Sequence, residues 1–477
     1  MQKPIELPAN KNDDQKLREG NIRALPGPKG RFLLGNFLDI PFDQFHEYLK
    51  EQSQQYGDIF RLKLANKTVV VLSNPQTVRT ILKKRPDQFR RISAMQEVFS
   101  ELGINGVFSA ESNEWKLQRK MMNQAFNTSQ IKHYHPIIIN ATERLQTQLD
   151  EMSANNQAFD FQALMQRYTI DITTQLAFGY DVNSLVNTTN PLQEKLAAIF
   201  PMISQRVKAP FPYWRYIKLK KDKELDAALC FIREQCHQFI DDAEHEIKTQ
   251  NNPQNILQAM IKARDEEGID FTQEQLFANM ITLLLAGEDT TANTLSWIMH
   301  YLIQNPHYQQ QLHQEIVVST STVDLEDYKQ LDKLPFLNAV IQEAMRLMPV
   351  APFLYVENIT PQTIEGYHIP SGTMLTVLLS QTAHDNNRYS EANAFIPERW
   401  LNMPEEEQKQ ASKDLMHFGA GPRLCPGRQL SLIEIKYALI NIFSNFTFST
   451  DKNSKSTSHF AFTVMPQNLI VEVQKRV

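Results

Sequence analysis

Phe418-Gly419-Ala420-Gly421-Pro422-Arg423-Leu424-Cys425-Pro426-Gly427 runs directly into an apolar helical pattern at Leu430, Leu432, Ile433 and Ile435. The cysteine therefore stands on a glycine-rich loop that enters a helix. Backbone N–H groups at such a start point outward and glycines allow close approach, so a sulfur held there is favoured as a thiolate. A thiolate is the ligand that soft metals and haem iron take. A lone cysteine is otherwise a small buried hydrophobe; the glycines and Arg423 shift the reading of Cys425 towards a ligand. Two rivals fail on spacing. A phosphate-cradling G-x-G-x-x-G needs glycine at 424, where Leu424 stands. Zinc needs more cysteines or paired histidines, and His133 and His135 are two residues apart, on different helix faces.

Upstream, Glu343 and Arg346 are one helical turn apart among the apolar Ala339, Val340, Ile341, Met345 and Leu347. They form either a solvated surface pair of little worth or a buried pair that needs further partners. Arg399, in Pro397-Glu398-Arg399-Trp400, is a candidate partner, and such a network would lock the loop that presents Cys425. Trp115 and Arg119 are also a turn apart and can both donate to an anion such as a carboxylate; the alternative is an ordinary amphipathic helix. A capping box at Thr272 and Gln275 predicts a helix running to Gln304, before Asn305-Pro306. At 1.5 Å per residue it is about 50 Å long. A polar interruption, Gly287-Glu288-Asp289-Thr290-Thr291, falls in its middle.

The rest of the chain sets the frame. Fifteen glycines in 477 residues fall well below the roughly 7 % of average usage, which favours a helix-rich fold. Ile59–Leu64 and Thr68–Ser73 read as a hairpin joined by Ala65-Asn66-Lys67, residues 76–350 as mostly helical, and Thr363–Leu379 as strands. Asn251-Asn252-Pro253 is the expected loop. A net charge of −5 gives no electrostatic reason for a nucleic-acid partner. Three cysteines cannot make a disulfide framework. Residues 1–24 hold no apolar run, so neither an export signal nor a membrane span is expected, and the protein is expected to be cytoplasmic.

Taken in order, these motifs resemble the cytochrome P-450 superfamily of haem-thiolate monooxygenases. The resemblance runs from Pro26 onward through the Trp-x-x-x-Arg helix, Ala286-Gly287-x-Asp289-Thr290, Glu-x-x-Arg, Pro-Glu-Arg-Trp and the cysteine loop. It implies a mainly α triangular-prism fold with small β sheets, in which residues 1–25 are a polar tail and 26–477 one haem-thiolate catalytic domain. Haem b, iron protoporphyrin IX, would lie between the central helix and the loop, with Cys425 as the metal ligand. Phe418 and Gly427 of that loop would pack on the cofactor. Trp115, Arg119 and Arg423 would hold the propionates, and Glu343, Arg346 and Arg399 would form the structural triad. Ala286 and Gly287 would keep the helix face small for O2, Asp289 would relay protons, and Thr290 would hydrogen-bond the activated oxygen. A mid-helix threonine also bonds back to the carbonyl four residues earlier, here Ala286. Glu288 is left open between an exposed place and a buried one beside Asp289.

Further implications concern supply and substrate. NAD(P)H-derived electrons would come through a separate ferredoxin- or flavodoxin-type donor with its reductase, since little chain follows Cys425. Lys116, Lys120, Arg428 and Lys436 would receive it, or are ordinary solvated cations. Met95, Phe99, Leu284, Ala286, Ala351, Phe353 and Phe462 would line an apolar pocket for a fatty acid, terpenoid or hydrophobic biosynthetic intermediate, to be hydroxylated or epoxidised. Arg90 and Arg91 would hold a substrate carboxylate at its mouth, or lie on a surface loop. The run Ala351–Val356 lacks the basic residue that such a strand often offers a propionate. Rival readings are a haem-thiolate peroxygenase or isomerase, which the Asp289–Thr290 pair disfavours, and a haem-binding sensor or carrier without turnover.

Overall fold

The computed structural model describes residues 20–65, 67–187, 191–209, 211–249, 252–319, 323–324, 327–450 and 456–476. Most of the expected polar tail, Asn66 of the hairpin link and Asn251 of the expected loop lie outside the described residues.

One mixed sheet and a set of helices position the site. The strands are β1 (Ile59–Leu64), β2 (Lys67–Leu72), β3 (Phe89–Arg91), β4 (Phe353–Asn358) and β5 (Met374–Leu378), in spatial order β1-β2-β5-β4-β3. The hairpin expected from sequence is present as β1 and β2, antiparallel with Ile59 opposite Leu72. β5 joins β2 in parallel, with Val69 opposite Met374. β3 closes the far edge against β4, with Arg91 opposite Val356. Smaller sheets pair strands near the C-terminus.

The helices that carry the site are α1 (Pro75–Lys83), α2 (Ser112–Ala125), α3 (Phe161–Phe178), α4 (Gln273–Gln304), α5 (Pro335–Leu347) and α6 (Arg428–Asn445). α4 forms as its sequence dictates: Thr272 caps it, accepting from the Gln275 N–H while Gln275 reaches back to the cap. Both ends of α3 are likewise encoded locally. Asp160 accepts from the Ala163 N–H at its start, and Gly179, at φ +77°, ends it. The largest apolar core surrounds α4 and includes Leu276, Met280, Ile281 and Leu295, none measurably exposed. Among the described residues no helix is long and apolar enough to cross a membrane.

Candidate active site

The cysteine loop is held from several directions. The Cys425 N–H donates to the Phe418 carbonyl at 3.0 Å, folding the loop back on itself. Gly421 has φ +70°, and a Cβ there would sit 2.6 Å from the Leu82 carbonyl oxygen and 2.7 Å from Lys83 Cα, so the loop docks backbone-first on the end of α1. Burial pushes the Cys425 thiol up; N–H groups of Gly427 and Arg428 at the sulfur, and the charges of Arg119 and Arg428, act against it. The donor set at the start of α6 is thus built to favour sulfur as an anion.

In α4, Ala286 is exposed while Leu284, Leu285 and Glu288 beside it are buried. Thr290 lies one turn on, and its Oγ1 donates to the Ala286 carbonyl at 2.7 Å, the back-bond expected of a mid-helix threonine. Asp289 faces elsewhere: its Oδ1 accepts from Gln166 Nε2 of α3 at 3.2 Å. Burial raises its carboxyl, and the Gln166 bond draws it back. Glu288 is buried, which resolves the alternative left by sequence. Its carboxyl is pushed well above the usual range by burial and then by Asp289.

One assignment needs correction. Gly287 does not make room on the open face; a Cβ there would come within 2.8 Å of Thr173 Oγ1, so the missing side chain lets α3 approach α4.

A second charged region lies beside Trp115. The Arg423 guanidinium stacks over the Trp115 ring, 4.6 Å from its centroid, while its Nη2 donates to the Ala110 carbonyl at 2.6 Å and lies 2.7 Å from Glu111 Oε2. Arg85 approaches the same carboxylate at 3.6 Å, and the Arg91 backbone N–H donates to it at 2.8 Å. Two buried guanidiniums and the backbone of a third buried arginine therefore meet at one carboxylate, while the Arg91 guanidinium itself donates to the Phe108 carbonyl at 2.9 Å. Burial and the Arg85 charge draw Arg423 down to about 9. Burial, and then the charges of Arg85 and Arg423, also lower Arg91 well below the ordinary arginine value. Arg423 Nε and Nη1 and Arg85 Nε have no hydrogen-bond partner among the described residues. Donors left open beside an excess of positive charge fit a group that brings its own carboxylates, as haem brings its propionates. Arg119, lowered by burial and supported by Cys425, faces the same region.

Sequence reasoning missed Arg85 and Glu111. It noticed the base lacking from Ala351–Val356; the neighbouring strand brings Arg91 into register with Val356, but its guanidinium is taken up by the Phe108 carbonyl at 2.9 Å. Arg91 is not at a pocket mouth: it is buried, 3.8 Å over the Phe108 ring. Arg90 pairs with Glu357 at 3.4 Å.

The triad closes as expected, in its buried form. Glu343 and Arg346 are fully buried, with Arg346 Nε and Nη2 each 2.8 Å from the Glu343 carboxylate. Arg399 Nε and Trp400 Nε1 donate to the same carboxylate at 2.9 and 2.8 Å. Burial raises the Glu343 carboxyl, and the Arg346 bonds and charge outweigh this to hold it below the usual value.

The pocket assignments divide. Met95, Phe99 and Leu284 are buried in the core around α4, and Phe462 stacks on Phe200 with centroids 4.4 Å apart. Phe108 bridges them, 5.7 Å from both Phe99 and Phe462. Phe353 belongs to another cluster, packed between Phe45 and Phe460, because β4 turns that ring towards the N-terminal helix Phe45–Tyr56. Ala351 is half-buried just before β4. Of the basic patch, Lys436 is buried against Asp332, and the exposed Lys116 and Lys120 pair with Asp87 and Glu267. Arg428 is exposed.

A family model described as Cytochrome P450 matches residues 25–473. The chain belongs to the cytochrome P450 family. It is 26 % identical to cytochrome P450 3A6 of Oryctolagus cuniculus over 445 residues, covering 91 % of this chain and 87 % of that one. It is also 26 % identical to cytochrome P450 94A1 of Vicia sativa, covering 89 % and 85 %. The crystal structure of a cytochrome P450, CYP102L1, superposes with a TM-score of 0.81 at 24 % identity over 95 % of this chain and 99 % of that one. The mainly helical P450 fold expected from the motifs is therefore the fold observed. As a P450, the protein is a monooxygenase that uses haem, O2 and reducing equivalents delivered by a redox partner, and acts on a hydrophobic substrate.

Proposed function

We propose that this P450 hydroxylates or epoxidises an apolar molecule seated against the Phe99–Phe108–Phe462–Phe200 aromatic wall, with electrons from a separate ferredoxin- or flavodoxin-type donor. The observation that carries the substrate class is that wall: four rings linked at 4.4 to 5.7 Å, with Met95 and Leu284 near them and no acidic side chain in the group. Apolar surface of this kind stabilises a bound hydrocarbon by about 25 cal/mol per Å² removed from water. Because Arg90 and Arg91 are both engaged within the fold, a free carboxylate on the substrate is not required.

In the overall reaction one oxygen atom enters the substrate and the other leaves as water, consuming two electrons and two protons. Haem, when bound through Cys425, supplies the O2 chemistry and the thiolate push. Trp115, Arg119 and Arg423, with Arg85, would hold its carboxylates; Gly427 and Arg428 N–H groups would temper the sulfur. Asp289 carries a proton at its carboxyl oxygens, and the Thr290 hydroxyl, whose proton is given to the Ala286 carbonyl, leaves its oxygen as an acceptor one turn from Ala286. The exposed Arg428, Lys116 and Lys120 offer the redox partner a positive rim beside the loop.

The test is the reduced, carbon monoxide-bound absorption spectrum of the purified haem protein. A strongly red-shifted Soret band that Cys425→Ala abolishes is expected. A normal haem band unchanged by that substitution would overturn thiolate ligation. Apolar candidates are then screened by displacement of the distal water in the optical spectrum and by product formation with surrogate redox partners.

A further inference from the structure

The seam between α3 and α4 is polar where most helix contacts in this core are apolar. Gln162 Nε2 donates to Asn293 Oδ1 at 3.0 Å, Gln166 Nε2 to Asp289 Oδ1 at 3.2 Å, and Thr169 Oγ1 to the Glu288 carbonyl at 3.0 Å. Thr173 lies against Gly287. Positions 162, 166, 169 and 173 are spaced by three and four, so they share one face of α3. Their partners run the opposite way along α4.

We propose that Gln166 is a positioning residue for Asp289, made possible by the close approach of α3 at Gly287. The inference rests on the reading of Asp289 as the proton-carrying acid. Two observations support it beyond the single bond. First, Asp289 and Thr290 are engaged by different partners: the threonine is tied to its own helix, the acid to α3. The Gln166 bond thus decides which way the carboxylate is turned. Second, Gln166 and Gln162 are both half-buried, but the acid that Gln166 holds is itself half-buried, whereas Asn293 and Thr463, which continue the Gln162 branch at 3.1 Å, are buried. The Gln166 branch ends by holding the acid; the Gln162 branch leads further into the core. A neutral amide donor suits the first task, because it fixes a carboxylate without neutralising it. It also stabilises the charged form, against the burial that raises the Asp289 carboxyl.

The neighbouring Gln162–Asn293 bond supplies the control, being the same chemistry one turn away with no contact to the acid. In the resting haem-loaded protein, the infrared carboxyl signal of Asp289 is identified as the one lost in Asp289→Asn. That signal is expected to shift in Gln166→Met and to stay in place in Gln162→Met. In turnover with a surrogate redox partner, Gln166→Met is expected to lower the coupled rate about tenfold, at the low end for loss of an outer-shell partner. The share of electrons ending as hydrogen peroxide and the solvent deuterium isotope effect should both rise with it. Gly287→Ala, which forces α3 away, provides a second route to the same infrared shift. If Asp289→Asn alters peroxide yield and isotope effect while Gln166→Met behaves like Gln162→Met, the positioning role is overturned and the acid stands. If Asp289→Asn itself changes neither, the acid reading fails and the inference falls with it.

Discussion

Two buried arginine clusters in this molecule contain the same kinds of group and end in opposite states. Around Glu343, both carboxylate oxygens accept from Arg346, Arg399, Trp400 and the Ile396 N–H, and the remaining Arg346 donors reach the carbonyls of Ala383, Ala392 and Ala394. Around Glu111, the guanidiniums of Arg85 and Arg423 and the Arg91 N–H share one carboxylate, the Arg91 charge stands nearby, and donors of Arg85 and Arg423 are left open. A network whose donors are all used holds the chain together; one with donors to spare, in a place closed to water, holds something else. Completeness of hydrogen bonding, rather than burial or charge, separates structure from binding here.

The largest expected effect strikes the closed cluster. Arg346→Leu removes one of the two guanidiniums on Glu343 and strands the carbonyls of Ala383, Ala392 and Ala394, and breaking a buried pair from one side costs about 3–5 kcal/mol. Little folded protein should be recovered, with or without added haem, as read by soluble yield and denaturant midpoint. Glu111→Ala should behave differently in the two forms. In the haem-free protein it removes the one carboxylate among three cations and costs about 3 kcal/mol. In the loaded protein, if propionates share that charge as proposed, the loss in thermal midpoint should be less than half as large. Equal losses in both forms would erase the contrast between the clusters.

A third buried charge sharpens it, because there burial has no offset. Glu434 of α6 is pushed up to about 8 by burial alone. Its proton stays on in the folded state and leaves in the unfolded state between pH 4.5 and about 8, so stability falls across that window as pH rises. The slope from this group is about 1.4 kcal/mol per pH unit, and Glu434→Gln should remove it in pH-dependent chemical denaturation. The smallest effect belongs to the exposed rim: Lys116→Ala, which breaks the 3.7 Å pair with Asp87, should change stability by less than about 1 kcal/mol. It should nevertheless slow electron delivery at low salt if the partner docks there.

What was legible from sequence is what neighbours in the chain determine. The cysteine loop, the capping box at Thr272, the Thr290 back-bond and the one-turn spacing of Glu343 and Arg346 are all local patterns, and each has its expected form. What escaped notice depends on register and packing. Arg91 reaches the site because β3 pairs with β4, Phe353 leaves the pocket because of the same sheet, and Gln166 meets Asp289 only across two helices. The purpose of Gly287 was hidden for the same reason, since its neighbour Thr173 lies 114 positions earlier in the chain.

Gly287 and Gly421 share a property that no list of functional groups would reveal. Each is needed for the volume it leaves free, with Thr173 in one case and the backbone of Leu82 and Lys83 in the other already filling the place of a methyl group. A map of substitution tolerance along this chain would then be dark not only at Cys425 but also at residues such as these, which donate nothing, accept nothing by side chain and carry no charge. Even alanine is too large for them.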